Sequence, residues 1–210
     1  MFPIVKKRQL AENIFLFDVL AKRVAAKCLP GEFVIVKQDK QGERIPLTIC
    51  DYDREAGTVT IVIQVIGGST KLIADELKEG DEFMDFVGPL GNPSDLVSED
   101  IEELKKKKIL FVAGGLGTAP VYPQVKWLFE RGIKADVVQG AKSKDFVILE
   151  DELKSVSDNL YVCTDDGSYG FKGLVTDKVK DLVENEGKKY DHCVVIGPMI
   201  MMKFVSLLTK

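Results

Sequence analysis

At 210 residues, with 45% apolar and 30% charged side chains, the chain has material for one large or two small globular domains with a substantial core. Its net charge of −4 argues against nucleic acid as the main partner, and no run approaches the ~18 apolar residues of a membrane span. Residues 1–7 lack the apolar stretch of a secretion signal, so a cytoplasmic location is the default expectation.

The first 88 residues read as short β-rich segments over 3–5, 14–19, 32–36, 45–50, 58–65 and 83–87. Turn signals at Pro30-Gly31, 39–42, 55–57, Gly67-Gly68 and 79–81 separate them, at intervals expected of an antiparallel barrel or sandwich, with a six-stranded barrel the natural reading. Residues 69–77 interrupt the strands with helical spacing, Leu72, Ile73 and Leu77 sharing a face. Residues 88–94 and the charged stretch 99–108 carry a shift in composition, which divides the chain into domains 1–100 and 101–210. The basic run 105–108 reads as a solvated lead-in to the next strand. From there the rhythm changes to strands over 109–113, 134–139, 160–163 and 193–196, alternating with helices near 119–131, 145–154, 172–186 and from about 199. Alternation of this kind predicts an α/β domain with a parallel sheet and crossover helices.

The most informative stretch is 108–120, an apolar strand that stops in Gly114-Gly115-Leu116-Gly117 and restarts as a helix through Thr118-Ala119-Pro120. Glycines let a backbone approach a ligand without Cβ clashes, and a helix start offers free N–H groups and the positive end of its dipole. A pyrophosphate suits such a turn. The spacing G-G-x-G-x-A-P departs from G-x-G-x-x-G, so a turn that uses glycine only for packing stays open as the alternative.

Other chemistry is sparse. Cys28, Cys50, Cys163 and Cys193 are widely spaced with no C-x-x-C pair, so no metal site is written among them and buried free thiols are expected. The lone His192 has only Asp191 beside it and no serine or cysteine at catalytic spacing.

Arg44-Ile45-Pro46-Leu47-Thr48, Gly67-Gly68-Ser69-Thr70, Gly88-Pro89-Leu90-Gly91, the turn 114–120, Thr164-Asp165-Asp166-Gly167-Ser168 and Gly197-Pro198-Met199 stand in one order on a barrel followed by an α/β domain. In this the chain resembles the ferredoxin–NADP reductase superfamily. Within it, the chain is similar to the electron-transfer subunits of dihydroorotate dehydrogenase B and the small subunits of NADH-dependent ferredoxin:NADP oxidoreductases, over essentially its whole length.

The resemblance implies an FAD-binding barrel and an NAD(P)-binding α/β domain. Arg44 matches the arginine near the flavin phosphates, a task suited to a permanently charged fork of donors; a surface arginine is the plainer alternative. Thr48 matches the residue near flavin N5, the one position assigned to catalysis, while Pro46 and Leu47 would shape the flavin's surroundings. Many relatives carry tyrosine where Leu47 stands, and often arginine where Gln64 stands. Val62, Ile63 and Gln64 match a strand lining the FAD. Gly68, Ser69 and Thr70 match its pyrophosphate site, or else form an ordinary helix cap. Gly114, Gly115, Gly117, Thr118, Ala119 and Pro120 match the loop that holds the nicotinamide dinucleotide. Asp165, Asp166 and Gly167, with Gly197, Pro198 and Met199, follow later strands at the sheet's ligand-binding end, although Asp-Gly is equally a turn former.

Residues 140–145 lie where the adenosine ribose is discriminated, and Lys142 and Lys144 either pair with a 2′-phosphate or stay solvated. NAD is favoured and NADP stays open. The resemblance therefore implies an FAD-dependent NAD(P)H oxidoreductase subunit that hands electrons to a catalytic oxidoreductase subunit. A stand-alone flavin or ferredoxin–NAD(P) reductase and a flavin-free nucleotide-binding regulatory module are the alternatives. Relatives continue past the apolar-faced helix at 199–210 into a strand and a cysteine-rich segment that binds a [2Fe–2S] cluster. The sequence thus reads as truncated at its C-terminal end, with the cluster expected beyond Lys210.

Overall fold

The computed structural model describes residues 1–209, so Lys210, beyond which the cluster segment is expected, lies outside the described residues. The chain folds as two compact units, the first Met1–Val97 and the second from Ser98 onward.

The first unit contains β1 (Phe2–Ala11), β2 (Ile14–Leu20), α1 (Lys22–Ala25), β3 (Phe33–Lys37), β4 (Ile45–Asp53), β5 (Thr58–Gln64), α2 (Gly68–Glu76), β6 (Glu82–Phe83) and β7 (Asp85–Leu90). Its seven strands form one antiparallel sheet in the order β6-β1-β2-β5-β4-β3-β7. The seventh strand arises where one segment was expected. The chain breaks pairing at Met84, so Phe83 pairs with Phe2 of β1 while Asp85 pairs with Lys37 of β3. That single segment bridges both margins of the sheet and closes the barrel, which removes its free edges.

Alternation along the strands sends Phe17, Val34, Val36, Ile49, Ile61, Ile63, Phe83 and Phe86 into a common core. A bulge between Ile49 and Asp51 buries both Ile49 and Cys50. Two cations finish helix ends that would otherwise leave carbonyls orphaned. The Lys7 ammonium donates to Ala74 O and, at 2.7 Å, to Leu77 O at the end of α2. Arg54 donates to Ala25 O at 2.8 Å and Cys28 O at 3.0 Å after α1.

The second unit contains α3 (Ile101–Leu104), β8 (Ile109–Gly114), α4 (Thr118–Phe129), β9 (Asp136–Ala141), α5 (Glu150–Val156), β10 (Leu160–Thr164), β11 (Phe171–Lys172), α6 (Val175–Lys180), β12 (His192–Ile196) and α7 (Met199–Leu208). The strands form a parallel sheet in the order β11-β10-β9-β8-β12. Every residue of β8 is buried, the unbroken apolar run of a strand covered on both faces.

Three local details depart from the periodicity. Thr164 exchanges hydrogen bonds with the Tyr169 backbone, and Gly170, at φ +65°, lets the chain fold back as the added strand β11. A Cβ at Gly170 would stand 2.2 Å from the Val162 carbonyl oxygen. The helix expected near 145–154 starts late because Leu149 is left-handed at φ +56°, and the one expected over 172–186 shortens to α6 followed by a π-turn at Asp181–Asn185.

Candidate functional site

In the second unit, sequential strands add to one side of β8 and β12 adds to the other, so β8 is where strand order reverses. Open α/β sheets bind ligands outside the carboxyl ends of strands at such a switch point. The turn from β8 into α4 occupies this place. It runs through a 3₁₀ turn at Gly115–Gly117 into α4, where the Thr118 N–H is already accepted by the Gly115 carbonyl and Pro120 carries none, so the open backbone here is that of the turn.

The glycines of this turn have two different reasons. A Cβ at Gly117 would lie 2.3 Å from Ile196 O, one at Gly114 2.4 Å from Met201 Sδ, and one at Gly197 2.7 Å from Met201 Cε. These three are glycine because the β8–α4 turn packs directly on the β12–α7 turn. Gly115 differs: its φ is +53° and its Cβ position meets nothing within 4 Å. Packing by itself thus requires glycine at 114 and 117, while 115 is the position of this turn that is left open.

The neighbouring strand ends gather the other expected residues of this unit. Thr118 is fully buried and its hydroxyl accepts from Gln139 Nε2 at 3.3 Å, so it turns no hydroxyl outward. Ala119 is buried behind it, and Pro120 is half-buried. Asp166 acts as the turn former: its carboxylate accepts the Ser168 N–H at 2.9 Å and hydroxyl at 2.7 Å, with Gly167 at φ +75°. Those Ser168 bonds hold its carboxyl below the usual range. Asp165 is exposed and donates its N–H to Ala141 O at 3.1 Å, which ties the loop after β10 to the end of β9. Lys144 N–H donates to Ser168 Oγ at 2.9 Å, its ammonium lies 5.5 Å from the Tyr169 ring, and the Tyr169 hydroxyl donates to Glu150 at 2.7 Å. Pro198 caps α7, whose first residue, Met199, is exposed.

In the first unit the expected residues fall on two faces. Ile63 lies in the barrel core and Leu47 packs half-buried against it, so from these two positions it is the backbone rather than a fully outward side chain that the strands present to the outer face. Pro46 and Thr48 alternate with Ile45 and Leu47 onto the outer face, as Val62 and Gln64 do with Ile63. β4 and β5 pair at Ile49–Ile61, and both segments continue from that pair. Directly after β5 comes the start of α2. Thr70 Oγ1 accepts the N–H groups of Ile66 and Gly67 at 3.1 Å, so the cap reading holds for Thr70. Ser69 donates its hydroxyl to Glu43, which places a carboxylate from the chain itself at this helix start. Cβ positions at Gly67 and Gly68 meet nothing within 4 Å. Arg44, 62% exposed at its side chain, pairs with Asp85 at 2.8 Å.

Sequence reading passed over Glu43, Asp85 and Gln139. Gln139 alone had a signal, as a lone amide inside the apolar run 137–141. Among the described residues no group of three or more His, Cys, Asp or Glu is placed to hold a metal, and no helix is long and apolar enough to cross a membrane.

Residues 111–207 match the oxidoreductase NAD-binding domain family. An uncharacterized protein from the adh 3′ region of Clostridium beijerinckii is 60% identical over 210 residues, 100% of this chain and 71% of that protein. The dihydroorotate dehydrogenase B (NAD(+)) electron transfer subunit homolog of Thermotoga maritima is 43% identical over 204 residues, 97% of this chain and 68% of that protein. A structure of NADH-dependent reduced ferredoxin-NADP oxidoreductase, from work on flavin-based electron bifurcation, superposes with TM-score 0.84 at 41% identity, over 99% of this chain and 71% of its own. The barrel, the parallel sheet with its glycine turn, and these likenesses together establish that the chain belongs to the ferredoxin–NADP reductase superfamily, with electron-transfer subunits of dihydroorotate dehydrogenase B among its homologues.

Proposed function

We propose that the chain is an electron-transfer subunit that binds FAD on residues 1–100 and NAD(P)H on residues 101–210, exchanges hydride between them, and passes electrons to a catalytic oxidoreductase subunit. The observation that carries this reading is the open, left-handed Gly115 at the switch point of a unit matching the NAD-binding family. NADH is the favoured dinucleotide, in keeping with the Thermotoga maritima relative, whose name specifies NAD(+). The [2Fe–2S] cluster is proposed only for a native chain continuing past residue 210.

The residues fit the two cofactors by their donors. In the second unit the backbone of the glycine turn, open at Gly115 and next to the start of α4, would hold the dinucleotide pyrophosphate, with Asp165 and Gly167 on one flank and Gly197, Pro198 and Met199 on the other. In the first unit Glu43 accepts from Ser69 at the α2 start, and Ser69 with the open backbone of Gly68 would hold the FAD pyrophosphate there. Arg44, exposed and paired with Asp85, would add its charge, and Val62 and Gln64 lie on the outer face of β5. Thr48, on the outer face of β4, would offer its hydroxyl near flavin N5. Bound FAD supplies the capacity to take a hydride and release electrons singly. The chain's part is positioning and charge compensation, for which it needs no acid, base or nucleophile of its own.

The test is the visible spectrum of the purified protein, followed by anaerobic stopped-flow mixing with NADH and with NADPH. Flavin bands that bleach, faster with NADH, are expected. A colourless protein that does not take up added FAD would leave the flavin-free nucleotide-binding module as the reading.

A further inference from the structure

Gln139 is 1% exposed in the middle of β9, between buried Val138 and half-buried Gly140. Its Nε2 donates to Ile148 O at 2.7 Å and to Thr118 Oγ1 at 3.3 Å, while its Oε1 has no partner in the chain. An orphaned buried acceptor is costly, and an apolar side chain of similar volume would avoid that cost. Core stability alone therefore does not account for an amide at this place.

What the amide gains is a pair of anchors on two loops. Thr118 is the first residue of α4, at the end of the glycine turn. Ile148 precedes Leu149, the one described non-glycine residue at positive φ, a conformation that persists only where its surroundings hold it. Leu149 sets the start of α5, whose Glu150 accepts the Tyr169 hydroxyl from the loop after β10. A continuous chain of contacts thus runs from the β8 turn through Gln139 to the loops after β9 and β10, the side of the sheet where the first strands of a doubly wound fold hold adenosine.

Resting on the proposed nucleotide site, we propose that Gln139 is a positioning residue that locks the pyrophosphate turn to the loops flanking the adenosine half of the dinucleotide. It touches no ligand itself. Its loss should loosen the grip on the adenosine diphosphate half and leave the nicotinamide half alone.

The experiment compares wild type with Gln139→Met, which keeps length and removes both bonds, and with Thr118→Val, which cuts one. Calorimetric titration with ADP-ribose is expected to show affinity lowered about tenfold in Gln139→Met, the scale of lost net hydrogen bonds. Reduction of the FAD-loaded protein by NADH should show the same rise in KM, with the limiting rate and the rate with reduced nicotinamide mononucleotide within about twofold of wild type. Unchanged ADP-ribose affinity overturns the proposal. So does an equal loss with NADH and the mononucleotide, which marks general loosening. Should Gln139→Met not fold, Thr118→Val decides: a smaller loss confined to ADP-ribose supports the lock, and no loss refutes it. Wild-type protein that binds no ADP-ribose would instead defeat the functional reading beneath it.

Discussion

The contrast between Gly115 and Gly117 gives the sharpest test of the structure. Gly117 has ordinary helical angles, φ −59° and ψ −14°, so alanine there meets no backbone strain. Its Cβ would nevertheless lie 2.3 Å from Ile196 O and 2.7 Å from Ile196 C, where ordinary contact begins at 3.4 Å. The obstacle is backbone at the end of β12, so the whole β12–α7 turn must move by about an ångström, an overpacking cost of roughly 1–3 kcal/mol. Gly115 is the reverse case: the space is open, and alanine pays only for φ +53°, about 1 kcal/mol. Gly117→Ala is therefore expected to lower both the melting temperature and the dinucleotide affinity. Gly115→Ala should lower melting less, while placing its methyl where the ligand approaches. Urea unfolding of the two variants, paired with ADP-ribose titration, separates the effects. A Gly117→Ala protein as stable as wild type would refute the loop-on-loop packing, and Gly115→Ala with unchanged affinity would remove the open side of that turn from the binding site.

Arg44→Ala should weaken FAD by ~1.5–3 kcal/mol, the range for a charge-assisted hydrogen bond, yet hardly change stability, because an exposed pair such as Arg44–Asp85 contributes little. FAD titration of apoprotein checks this, and unchanged affinity removes Arg44 from the site. Asp136 accepts hydrogen bonds from Asn159 at 2.8 Å, Lys188 at 2.8 Å and Tyr190 at 2.7 Å. Burial alone would raise its carboxyl, but these bonds outweigh it and hold the group below its ordinary value. Its contribution is complete above the unfolded carboxylate value of about 3.9 and is lost as pH falls through the lower folded one. Asp136→Asn should cost about 3 kcal/mol at neutral pH and flatten the acid limb of a stability–pH curve; an unchanged acid limb would show that other carboxylates govern it. Burial pushes the Cys28 thiol up to about 11 and Cys163 up to about 12, so a thiol reagent at pH 8 should label these two only as fast as the protein unfolds. Rapid labelling of all four cysteines in native protein would contradict that burial.

Periodicity and turn chemistry determined most of the architecture, because they are properties of neighbouring residues. Alternation over 58–65 is a half-buried strand in any context, and the run 109–113 ending in glycine is a strand meeting a turn. The order of such segments sufficed for a barrel followed by a parallel sheet. Contacts between residues distant in sequence decided the rest. Whether Leu47 faces ligand or core depends on strand register, which is settled where β4 meets β3 and β5. The closing of the barrel by a split segment at Met84 needed both β1 and β3. The sequence marks 114, 115 and 117 alike as glycine. Only the packing of β12 and α7 against the turn separates two glycines that make room for protein from the one that leaves room for something else.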